Sequence, residues 1–225
     1  MTTGNNLSQT EKLAEMLFDI GVFQINMQNP FVWTSGIRSP LYCDNRKINS
    51  NVAVRDAVVC AFVDYIAANY KDVEMVAGVA TGGIPIGVLV ADRLKLPFIY
   101  VRSEAKKHGL MKQVEGAFEP GAKVVLIEDH ISTGGSSMKA VKGIQNEGLQ
   151  LLGLISNMTY GFDKAYKLFQ EEGIQVHSIC NLDLMIQTAK RTGRIKEEDV
   201  AKVLKFKENP EQWYDNVFEK GMQTE

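Results

Sequence analysis

The chain has 225 residues, with 25 Lys+Arg against 27 Asp+Glu and a formal net charge of −2. At 45% hydrophobic and 23% charged residues, its composition is globular and excludes a disordered or fibrous chain. The balanced charge excludes broad electrostatic capture of nucleic acid or of an anionic membrane, while leaving room for a local anion site.

Ser8-Gln-Thr-Glu11 is a capping box, and Leu13, Met16, Leu17 and Ile20 follow at helical spacing up to Gly21. Residues 22–45 read as extended and turn-broken. Residues 51–70 read as a helix, with Val54, Val58, Phe62 and Ile66 four apart. A strand–helix alternation comes next. Strands are predicted at 74–79, 97–101, 123–127, 149–158 and 174–179, and helices at 87–94, 136–147 and 162–172. Residues 103–117 are polar and glycine-punctuated, and the tail over 181–221 is helical with charged faces. Val- and Ile-rich strands alternating with helices predict an α/β fold, a parallel sheet covered on both faces. The economical organisation is one domain: an N-terminal extension over 1–45, an α/β core over 46–190 and C-terminal helices over 191–225.

Cys43, Cys60 and Cys180 are far apart, without CxxC or Cys/His metal spacing, as expected of reduced thiols in a cytoplasmic protein. No apolar run approaches the ~18 residues of a membrane span, and the polar start lacks a signal-peptide pattern.

The most informative stretch is Val124-Val-Leu-Ile-Glu-Asp-His-Ile-Ser-Thr-Gly-Gly-Ser136. Four apolar residues make a buried strand with two acids at its carboxyl end, where ligands bind in open α/β sheets. A small-residue turn then opens onto a helix N-terminus, whose backbone N–H groups and dipole favour a phosphate. Ser132, Thr133, Ser136 and Ser137 add hydroxyl donors. The acids would repel a phosphate and suit sugar hydroxyls instead. Together these features describe a phosphorylated ribose. There is no GxxxxGK[ST] loop, and no GxGxxG follows a strand.

These residues resemble the signature of the type I phosphoribosyltransferase family, whose substrate is phosphoribosyl diphosphate (PRPP). Three further segments resemble its orotate-using members. They are Phe31-Val-Trp-Thr-Ser-Gly-Ile-Arg-Ser-Pro-Leu-Tyr42, Gly78-Val-Ala-Thr-Gly-Gly-Ile-Pro85 and Arg102-Ser-Glu-Ala-Lys-Lys-His-Gly109. The resemblance implies a small N-terminal hood over the base, a pyrophosphate-side loop and a mobile catalytic loop. It implies Lys106, His108 and Asp129 as catalytic residues, with Arg102, Lys106 and His108 on the pyrophosphate. It assigns Glu128, Asp129, His130, Ile131, Ser132, Thr133, Gly134, Gly135 and Ser136 to PRPP. The family tolerates apolar residues at 130, so the role of His130 reads as structural. Ser132, Leu41, Tyr42 and Arg38 are the implied orotate contacts. Mg²⁺ is expected through PRPP and water rather than a protein cage. A homodimer is implied, with the 102–116 loop reaching the neighbouring site.

The chain departs from the family pattern at four places. Ser103, Thr34 and Gly82 stand where some members carry lysine, and Asn157-Met-Thr-Tyr-Gly-Phe-Asp163 lacks an orotate-contacting arginine. Arg38, Arg46 or backbone amides of the N-terminal segment are the candidates for meeting the orotate carboxylate, Arg38 first among them. The alternatives are a purine phosphoribosyltransferase and a non-catalytic nucleotide sensor on the same fold. The sensor lacks support from any basic stripe.

Overall fold

The computed structural model describes residues 7–102 and 113–219. The described residues form two compact units, those up to 47 together with those from 182 onward, and those between 48 and 181.

The larger unit carries a six-stranded sheet. Its strands are β5 (Met75–Val79), β6 (Phe98–Val101), β7 (Val114–Glu115), β8 (Lys123–Ile131), β9 (Gln150–Thr159) and β10 (Val176–Asn181). They lie in the order β10-β9-β8-β5-β6-β7, parallel except for β7. The helices are α2 (Val52–Asn69), α3 (Gly83–Leu94), α4 (Gly135–Asn146) and α5 (Asp163–Glu171). Asn51 caps α2 by accepting from the Val54 N–H at 3.1 Å, and Val54, Val58, Phe62 and Ile66 are its buried stripe. A second apolar cluster joins β5, β6 and β8 to α4 and α5 through Val101, Leu126, Val141, Ile144 and Phe169. None of the three cysteines forms a disulfide; burial pushes the Cys180 thiol up to about 12 and leaves it inert as a nucleophile.

Three boundaries differ from the sequence expectation. β8 does not stop before the acids but runs through them to Ile131, because Glu128, His130 and Ile131 pair with Ser156, Met158 and Thr159. α3 starts at Gly83 rather than Gly87. Pro85 falls in its first turn, where the missing N–H leaves no bond unmade. Within the stretch 103–117, Val114–Glu115 forms β7, antiparallel to β6.

The smaller unit contains α1 (Gln9–Asp19), the pairs β1 (Phe23–Ile25) with β4 (Leu41–Cys43) and β2 (Phe31–Val32) with β3 (Arg38–Ser39), and the helices α6 (Leu182–Arg191) and α7 (Glu197–Glu208). The capping box forms as expected: Ser8 Oγ accepts from the Glu11 N–H, and the Glu11 carboxylate accepts from the Ser8 N–H. Trp213 is fully buried, with its indole N–H donated to the Lys202 carbonyl at 2.8 Å. Among the described residues no helix is long and apolar enough to cross a membrane.

Candidate active site

The sheet changes direction at β5. The chain steps outward to β6, then returns to place β8 on the other side. Ligands in open α/β sheets bind at the carboxyl ends beside such a switch point. Here that crevice brings together the turn after β5 and the acid pair of β8. The contact is tight. A Cβ on Gly83 would lie 2.4 Å from the Ile127 carbonyl oxygen, and one on Gly82 would lie 2.2 Å from Asp129 Oδ2. The position where some family members carry lysine is therefore filled by the Asp129 carboxylate.

The two acids are adjacent but face different surroundings. Glu128 is only 5% exposed; its Oε2 accepts from Ser137 Oγ at 2.9 Å and its Oε1 from the Asp129 N–H at 3.0 Å. Burial, reinforced by the Asp129 charge, pushes the Glu128 carboxyl well above the usual carboxylate range. Asp129 is also pushed up by burial, but hydrogen bonding and charge from His130 outweigh this and hold its carboxyl below the ordinary value. The His130 N–H reaches Asp129 Oδ1 at 2.7 Å, and His130 Nδ1 lies 3.3 Å from the same oxygen. The two carboxyls are thus pushed in opposite directions, Glu128 towards its protonated form and Asp129 towards its ionised form.

After β8, residues 132–134 turn into α4. Gly134 takes φ +81°, a left-handed conformation that glycine adopts without penalty. It stands at the N-cap, where no side chain caps the helix. The first N–H groups of α4, from Gly135 and Ser136 onward, lack intrahelical acceptors and point outward with the positive end of the dipole. Such an end can receive an anion. Ser137, expected as a donor to the phosphate, is fully buried and turns inward to Glu128. The signal was available: consecutive helical residues point about 100° apart, so Ser136 and Ser137 cannot both face one ligand. Ile131 is likewise buried, and its carbonyl accepts from the Tyr160 N–H. Ser132 and Thr133 are half-buried on the turn.

Arg102 directly follows β6. Its N–H bonds to the Gln113 carbonyl at 2.9 Å, Gln113 Nε2 returns a bond to the Arg102 carbonyl at 2.7 Å, and its guanidinium meets Glu115 at 3.3 Å. Lys106 and His108 lie outside the described residues.

Of the expected base contacts, Leu41, Tyr42 and Arg38 fall in the smaller unit and Ser132 in the larger. Leu41 is fully buried and its carbonyl accepts from Trp33 Nε1 at 3.0 Å. Tyr42 stacks on Phe31 at 5.3 Å. The Arg38 guanidinium lies over the Tyr214 ring, 4.3 Å from its centroid, and Arg46 is ion-paired with Asp44 at 2.7 Å. In the larger unit, the segment that lacks the family arginine is apolar and aromatic. Tyr160 is buried, stacks on Phe162 at 5.6 Å and presents its ring edge-on to His130.

Among the described residues no cluster of three acids, histidines or cysteines is placed to hold a metal ion.

Comparison with known proteins agrees with this geometry. The pattern of the phosphoribosyl transferase domain matches residues 47–176. Orotate phosphoribosyltransferase of Bacteroides fragilis is 44% identical over 200 residues, 89% of this chain and 94% of the relative. That of Lactococcus lactis subsp. cremoris is 42% identical over 207 residues, 92% of this chain and 99% of the relative. The crystal structure of orotate phosphoribosyltransferase from Aeropyrum pernix superposes with a TM-score of 0.71 at 28% identity, covering 82% of this chain and 99% of that one. The chain belongs to the phosphoribosyltransferases, and within them to the orotate phosphoribosyltransferase family.

Proposed function

We propose that this chain transfers the 5-phosphoribosyl group of PRPP to a ring nitrogen of orotate, giving orotidine 5′-phosphate and pyrophosphate in pyrimidine nucleotide synthesis. The observation that carries this reading is the acid pair at the end of β8, followed at once by the uncapped N-terminus of α4.

The backbone amides of α4 and the hydroxyls of Ser132, Thr133 and Ser136 hold the 5′-phosphate. Glu128 and Asp129 hold the ribose hydroxyls. As the C1–diphosphate bond breaks, positive charge grows on the ribose, and the ionised Asp129 is the group placed to stabilise it. Negative charge grows on the departing pyrophosphate, where Arg102, Lys106 and His108 of the loop act, with Lys106 the principal catalytic cation. Mg²⁺, arriving with the substrate, would supply positive charge against the departing pyrophosphate. Arg38 serves the orotate carboxylate. Stacking on Tyr214 uses the face of its guanidinium and leaves the N–H edge for a bidentate contact. Ser132, Leu41 and Tyr42 complete the base site. The working form is a cytoplasmic homodimer, in which the 102–116 loop serves the neighbouring subunit.

The test is pyrophosphate release from PRPP with Mg²⁺ and, separately, orotate, adenine, guanine or hypoxanthine. Release with orotate alone is expected. Release with a purine base would reassign the specificity, and release with no base would leave only the sensor reading.

A further inference from the structure

A concavity of about 470 Å³ lies between α5 and the edge strand β10; neither acid lines it, though the buried Ile131 at the end of β8 does. Its floor is the buried Ala165 and Phe169, one wall is Ser178, and Tyr166 and Gln170 of α5 stand at the rim. Tyr166 is 60% exposed, a large ring open to solvent at the cavity mouth. The volume falls within the range of small-molecule sites.

The lining defines what fits. Among its described residues there is no Asp, Glu, Lys or Arg; the polar groups are amides and hydroxyls, including Asn181 and Thr159. His177 brings no charge at neutral pH, since burial lowers its pKa, and its ring is stacked on Tyr65 at 3.7 Å. A charged ligand would lose water without gaining a counter-charge. An uncharged flat ring with hydrogen-bonding edges meets the apolar floor, stacks on Tyr166 and reaches the amides and hydroxyls.

Two contacts tie this cavity to the PRPP site. Phe169 and Ala165 also back the phosphate turn: a Cβ on Gly134 would lie 3.1 Å from the Phe169 ring and 3.4 Å from Ala165 Cβ. Ser178 Oγ lies 2.6 Å from Ser156 Oγ, and Ser156 stands in register between Ser178 and Glu128, so the three side chains form one row across the sheet face. Filling the cavity therefore presses on the supports of both the phosphate turn and the ribose acid.

We propose that the cavity between α5 and β10 is a second ligand site, for an uncharged planar heterocycle of nucleobase to nucleoside size, and that its occupancy changes PRPP affinity. The coupling rests on residues 132–136 being the phosphate cradle; the binding does not.

Uridine and adenosine are suitable probes, titrated into the full chain by calorimetry with and without PRPP and Mg²⁺. At least one nucleoside should bind at a site that saturating PRPP does not compete for. It should shift the PRPP Kd several-fold, with PRPP shifting the nucleoside Kd by the same factor. Tyr166→Ala, at an exposed side chain, should weaken nucleoside binding about 10-fold or more and leave PRPP binding alone unchanged. The site is overturned if neither nucleoside binds at millimolar concentration, if PRPP displaces it competitively, or if Tyr166→Ala leaves its affinity intact. Nucleoside binding with an unmoved PRPP Kd overturns the coupling. Failure of PRPP itself to bind would tell against the phosphoribosyl reading, separately from the nucleoside result.

Discussion

Gly82→Ala adds one methyl group at the point where the turn after β5 meets the acid pair. That methyl would lie 2.2 Å from Asp129 Oδ2, 2.4 Å from Cγ and 2.9 Å from Cβ. Non-bonded carbons settle at about 3.5–4 Å, so the carboxylate must retreat by more than about 1 Å. The backbone does not contribute, because Gly82 has φ −66° and ψ −33°, a right-handed conformation that alanine adopts freely. The displaced carboxylate loses its bond from the His130 N–H and its purchase on the ribose hydroxyls. Hydrogen bonds to a charged group are worth about 1.5–3 kcal/mol, or roughly 10–150-fold in binding. Steady-state kinetics should show the KM for PRPP rising by about 10–100-fold, with the orotate KM little changed and Tm lowered by only a few degrees. In an Asp129→Gly background, which removes all three crowded atoms, the same substitution should be almost silent, so the double-mutant cycle returns nearly the whole effect as coupling. A wild-type PRPP KM in Gly82→Ala, or simple additivity in the cycle, would refute the contact as the cause.

Three further outcomes follow from the site. The Glu128 carboxyl is raised in the folded chain by burial and by the Asp129 charge. The stability it contributes is complete below the ordinary glutamate pKa of about 4.3 and is lost as pH rises through the folded value. Glu128→Gln is neutral at every pH, so its Tm advantage over the wild type should grow from pH 5 to pH 8; a pH-independent difference in scanning calorimetry would contradict this. Gly134→Ala forces a side chain into φ +81° against the Phe169 ring. It should cost about 1–2 kcal/mol and raise the PRPP KM several-fold; an unchanged KM would remove the turn from phosphate binding. Lys106→Ala should lower kcat by orders of magnitude with Tm unchanged, and near-full kcat would take Lys106 out of the mechanism.

The strand–helix alternation was legible because Val- and Ile-rich runs of four to six residues have few other stable homes than a buried parallel sheet. The acid pair and the turn after it were legible for the opposite reason, since two adjacent carboxylates before Ser-Thr-Gly-Gly-Ser serve no packing purpose. Features that depend on which residues meet across the sheet were not legible. Nothing in the run Glu128-Asp-His-Ile131 announces a strand; its continuation is fixed by pairing with Ser156, Met158 and Thr159. Gly82 read as a missing lysine, and only the position of Asp129 shows why a side chain has no room there. The division of labour between Glu128 and Asp129 depends on Ser137 and His130, which reach the acids from a helix and from the next residue along the strand. Trp213 stood alone in a charged tail, and its burial follows from a carbonyl eleven residues away.

The smaller unit is assembled from the two ends of the chain. α1 packs on α6, and the ion pairs Arg191–Glu15 and Arg194–Asp19 join residues 176 and 175 positions apart. During synthesis the whole of β5–β10 leaves the ribosome before α6 exists. The apolar stripe of α1, with Leu13, Leu17 and Phe18, must therefore wait uncovered while the α/β unit can already fold. A nascent or prematurely terminated chain is left with a competent sheet and an exposed first helix, the state in which a chaperone has most to hold and a protease most to cut.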